Sequence, residues 1–119
     1  MFETIWWRCH IRANDRHAAE RVVGRLAARL DRPLRTETYE RYGRYPELAQ
    51  LCLVSPLGVA GPAAALHTVL RSAWLIASPW ALDAPTADGE FDGMASVSVG
   101  SRFAVPGVGW MGFHVNDRR

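Results

Sequence analysis

The chain has 119 residues, 49% of them hydrophobic and 22% charged, with 10 Gly and 7 Pro. That composition excludes collagen-like, disordered and disulfide-scaffold classes, and the length fits a single domain over 1–119 that can fold without a metal or disulfide staple. The net charge of +2 is too small to point to a polyanion, although all 14 basic residues are arginine, the side chain suited to stacking and bidentate contacts.

In chain order, residues 2–11 alternate as a strand, with Ile5, Trp7, Cys9 and Ile11 on one face and Trp6, Arg8 and His10 on the other. The first set is the expected core face. Asn14 or Asp15 is placed to cap a helix running to about Leu30, with Ala19, Val22, Val23, Leu26 and Leu30 as its buried stripe and Pro33 closing it. Arg21, Arg25, Arg29 and Arg32 fall on the outward side. Leu34 to Tyr42 is polar for a strand and predicts an edge, followed by a turn over Gly43 to Pro46 and a more apolar strand from Leu48 to Val54. Gly61 and Pro62 open a second helix reaching about Ala77, proline being tolerated at the first helical position. Its inward residues are expected to be Leu66, Val69, Leu70, Ala73 and Ile76. Trp80 to Leu82 reads as a short strand and Asp83 to Gly89 as a loop. Phe91 to Val99 and Val108 to Val115 read as a final strand pair joined through Pro106 and Gly107.

The resulting β-α-β-β-α-β-β order resembles the ferredoxin-like α+β sandwich: an antiparallel sheet, two helices on one face and an extra C-terminal hairpin strand. The resemblance is to an architecture, and it licenses no function.

Cys9 and Cys52 sit in apolar runs and read as buried thiols of a reducing compartment. The first residues lack the basic stretch of a signal peptide, and the longest apolar run, Leu57 to Leu66, is broken by Gly58, Gly61 and Pro62. A cytoplasmic chain with no membrane association is therefore expected. No nucleophile elbow, phosphate loop or dinucleotide fingerprint occurs. The histidines lack ligand spacing, and His10 and His114 would lie at opposite ends of antiparallel strands, so neither a metal nor another cofactor is expected. Asp83, Asp88, Glu90 and Asp92 lack the glycine and the bidentate glutamate of a calcium loop and read as a solvated turn. The helical arginines have no interleaved aromatics, which argues against a nucleic-acid partner.

The residues with most to say about function are on the sheet face away from the helices: Trp6, Arg8 and His10 on the first strand, Trp110 and His114 on the last. Tyr39, Arg41, Tyr42, Arg44 and Tyr45 crowd the edge strand and its turn. Such a face is costly to leave wet, and Trp, Tyr and Arg dominate protein interfaces. The residue types point first to a non-catalytic protein-binding module, for instance an immunity or inhibitor protein. The slightly basic charge speaks against an inhibitor of a basic nuclease. The alternative is a dimeric α+β-barrel enzyme or carrier that encloses an aromatic or apolar small molecule against the same face, with no catalytic residue identified. A third reading is a structural homodimer joined through it.

Overall fold

A computed structural model describes residues 1–83, 85–86 and 89–117. Asp88, read above as part of a solvated turn, lies outside the described residues. Strand β1 (Phe2–Arg12) carries the two expected faces. Ile5, Trp7, Cys9 and Ile11 are buried, Trp6 and His10 are half-buried, and Arg8 is exposed. Helix α1 (Arg16–Arg29) starts at Asp15, whose carboxylate accepts the Ala18 N–H at 2.8 Å, and buries Ala19, Val22, Val23 and Leu26. Strand β2 (Arg35–Arg41) is an edge.

Strand β3 (Leu48–Val59) runs five residues beyond the expected end at Val54 and passes through Pro56. The proline is tolerated because β2 pairs with β3 only as far as Val54, so the missing N–H leaves no gap in that ladder. Helix α2 (Pro62–Trp74) stops three residues before the expected Ala77. It buries Ala65, Val69, Ser72 and Ala73, while Leu66 and Leu70 are only partly covered. Two short strands follow, β4 (Ala77–Ser78) and β5 (Ala81–Leu82). Trp80 belongs to neither; its buried indole N–H donates to the carbonyls of Ala73 and Ala77. Strand β6 is Phe91–Ser96, and Val97–Val99 form a 3-10 turn where the strand was expected to continue. The two-residue β7 (Arg102–Phe103) pairs with β4, and β8 spans Val108–Val115 as expected.

The architecture is α+β, with two helices and a six-stranded antiparallel sheet ordered β2-β3-β1-β8-β6-β5. The sheet is wider than the expected sandwich with one extra C-terminal hairpin strand. The C-terminal strand β8 lies inside, between β1 and β6, and β5 forms the outer edge on that side.

Both helices contribute to one buried cluster with the odd-numbered face of β1, Leu51 and Leu53 of β3, and Met111, Phe113 and Val115 of β8. Polar groups in this layer are paired. The Trp7 indole donates to Ser55 Oγ at 3.1 Å. Fully buried Ser72 donates to Asp31 Oδ1 at 2.7 Å and accepts from Arg32 Nε at 3.0 Å, while Arg32 Nη1 reaches the Pro56 carbonyl at 2.7 Å. Arg32 thus joins the end of α1 to α2 and β3 and does not extend the outward arginine row, which keeps Arg21, Arg25 and Arg29. Partial burial raises the Asp31 carboxyl, but the Ser72 and Arg32 hydrogen bonds and the Arg32 charge outweigh it and hold the group below its ordinary range.

Candidate functional site

The opposite face of the sheet follows from the same two-residue period. Register places Val54, Trp6, His114 and Asp92 in one row across β3, β1, β8 and β6. The next row is Thr38, Cys52, Arg8, Gly112 and Met94, and the third is Glu40, Gln50, His10, Trp110 and Ser96. Neither helix packs here. Five of the expected site residues, Trp6, Arg8, His10, Trp110 and His114, therefore share one surface. His10 and His114 stand two rows apart, as the antiparallel pairing requires.

Within this face is a cleft of about 530 Å³. Trp6 and Trp110 wall it, Arg8, Cys52, Met94, Asp92, Asp83 and His114 contribute to its lining, and Trp7 and Phe113 of the core also border it. Its depth has a local cause. Gly112 carries no side chain between Arg8 and Met94, and a Cβ there would stand 2.9 Å from Trp110 Cη2. The Trp110 ring thus lies over a glycine floor, and the hollow continues beside it. Cys52, expected as a buried thiol, is half-buried in this wall, whereas Cys9 faces the core; both are free.

His114 is held from both sides. Its Nδ1 lies 2.6 Å from Asp92 Oδ1 and its Nε2 3.2 Å from Glu90 Oε1, with the Asn116 amide also 3.3 Å from Nε2. Both ring nitrogens thus have a polar neighbour. The arrangement orients the ring. The acidic segment read as a solvated turn therefore supplies two partners of a site histidine. The signal lay in the sequence: if Phe91 faces the core, strand alternation turns Asp92 to the face of His114.

A line of rings runs from the other side of the cleft. Trp110 and His10 lie 4.8 Å apart by centroid, His10 and Tyr42 4.7 Å, and Tyr42 and Tyr45 5.9 Å with nearly parallel planes. Tyr45 closes the line. Partial burial and the Arg8 charge hold His10 below its ordinary value of 6.5, against an opposing Gln50 hydrogen bond.

Two expected residues do not join this surface. Tyr39 pairs with Leu51 on the helix side of the sheet, packs against the buried cluster and carries the Arg16 guanidinium 5.8 Å from its ring centre. Arg41 donates through Nη1 to the carbonyls of Ala13 at 2.7 Å and Pro46 at 3.1 Å, which ties down the loop ends. No helix among the described residues is long and apolar enough to cross a membrane. Comparison of the chain with protein-family models, with curated proteins and with solved structures finds no match.

Proposed function

We propose that this protein binds a small apolar or aromatic molecule on its uncovered sheet face, and that β2-β3-β1-β8 is a ferredoxin-like unit widened by β5 and β6. Two features favour the fold reading: β1 and β2 both run antiparallel to β3, and they are joined through α1. The ligand reading rests on the Trp6 and Trp110 cleft of about 530 Å³, a size suited to a small organic molecule.

The neutral fluorophore N-phenyl-1-naphthylamine tests it. Saturable one-to-one binding, weakened by Trp110→Ala, is expected. Fluorescence that does not saturate, or that is indifferent to Trp110→Ala, would remove the basis for a ligand site. A protein partner is the second reading, and the ring line from Trp110 to the 47%-exposed Tyr45 favours it. A stoichiometric complex seen by native mass spectrometry and lost in Tyr42→Ala would favour this reading. A homodimer without ligand would point to a self-association face.

A further inference from the structure

We infer that the cleft selects an aromatic monoanion, with the ring against Trp110 and a carboxylate on Arg8; this rests on the ligand-binding reading above. Arg8 occupies the centre of the open face, with Trp6 and His10 beside it on β1 and Cys52 and Gly112 opposite it on the neighbouring strands. Arg8 is an exposed residue, and no carboxylate among the described residues pairs with it. By contrast, Arg16, Arg32 and Arg35 each meet an acidic side chain, and Arg41 is spent on two carbonyls. A planar fork of donors facing an aromatic-walled hollow is matched by a carboxylate, which it can bind through two hydrogen bonds.

The geometry brings ring and anion together. The outer ring of Trp110 lies over Gly112, and Gly112 is directly across from Arg8 on the adjacent strand. Adjacent strands are about 4.8 Å apart, so a ring stacked on Trp110 places a directly attached carboxylate within reach of Arg8. The acidic groups of the cleft lie elsewhere. Asp92 is taken by His114, and Asp83 lies past the end of β5, three strands from β1 or roughly 14 Å by strand spacing. His10, held below its ordinary value, adds little positive charge near neutral pH. Arg8 is the one arginine lining the cleft among the described residues, which suits a single negative charge better than a phosphate dianion.

The test is titration calorimetry of the full chain with 2-naphthoate and with its uncharged analogue 2-naphthalenemethanol. The carboxylate should bind at least about tenfold tighter, the scale of a charge-assisted hydrogen bond. The gap should close in Arg8→Gln and return in part in Arg8→Lys, with unchanged circular dichroism. Equal binding of the two ligands by the natural chain, or a gap that survives Arg8→Gln, overturns the anion inference and leaves the cleft reading standing. Failure of both ligands to bind overturns the two together.

Discussion

Trp6 and Trp7 are neighbours in the chain with opposite fates. Trp7 is 1% exposed, packs edge-on to Phe113 at 6.0 Å and places its N–H on Ser55. Trp6 turns away from the helices and walls a cleft. The cysteines repeat the contrast. Burial, with Cys52 nearby, pushes the Cys9 thiol up to about 12, against a hydrogen bond from the Leu51 backbone. Cys52, on the other face, lines the cleft. One surface of the sheet is a packed interior with its polar groups satisfied. The other keeps large rings and a charged group where solvent or a ligand can reach them. Side chains of one type therefore contribute to stability on one face and are available for binding on the other.

Substitution of the two tryptophans probes this contrast most strongly. Trp7→Ala should lower unfolding free energy by about 3–5 kcal/mol, through lost burial, a cavity and an orphaned Ser55 hydroxyl. Trp6→Ala should cost well under half of that and reduce ligand binding instead. Urea denaturation of both variants checks the pair, and equal losses would mean that the open face is as tightly packed as the core.

A smaller effect is expected at Ser72. Ser72→Ala removes the hydroxyl shared by Asp31 and Arg32 and should cost about 1–3 kcal/mol by thermal unfolding, with no change in ligand affinity. A variant that unfolds normally but binds less would show that the helix layer and the cleft are coupled.

The smallest effect is a pH dependence. His10 in the folded chain lies below its unfolded value of about 6.5, so the unfolded state binds the extra proton first. Its stabilising contribution is present above pH 6.5 and is lost as pH falls through the lower folded value. Asp31, also held low in the folded state, acts in the same direction at more acidic pH. Denaturation midpoints measured between pH 7.5 and 5 should fall, and His10→Asn should flatten that slope. An unchanged slope would place the titration on another group.

Much of this was legible because strand alternation is a local property. Period two divides Trp6, Arg8 and His10 from Ile5, Trp7, Cys9 and Ile11, and the same rule on β8 places Trp110 and His114 together. The misreadings share a cause. Residue type and spacing alone put Arg32, Tyr39 and Arg41 on the surface, yet each is held by contacts that include a partner distant in the chain: Ser72 and Pro56 for Arg32, the helix-side packing for Tyr39, and the Ala13 carbonyl for Arg41. Glu90 and Asp92 looked like turn residues because their partner, His114, lies more than twenty positions away.

The sequence by itself indicated the two helices, the main strands and the apolar face of β1, because these depend on backbone sterics and on hydrophobic period over a few residues. Only the tertiary structure decided the order of the strands, the place of β8 between β1 and β6, and the glycine-floored cleft between two indoles. Those depend on pairing across long chain separations, where several registers bury similar apolar area and only the complete packing selects one.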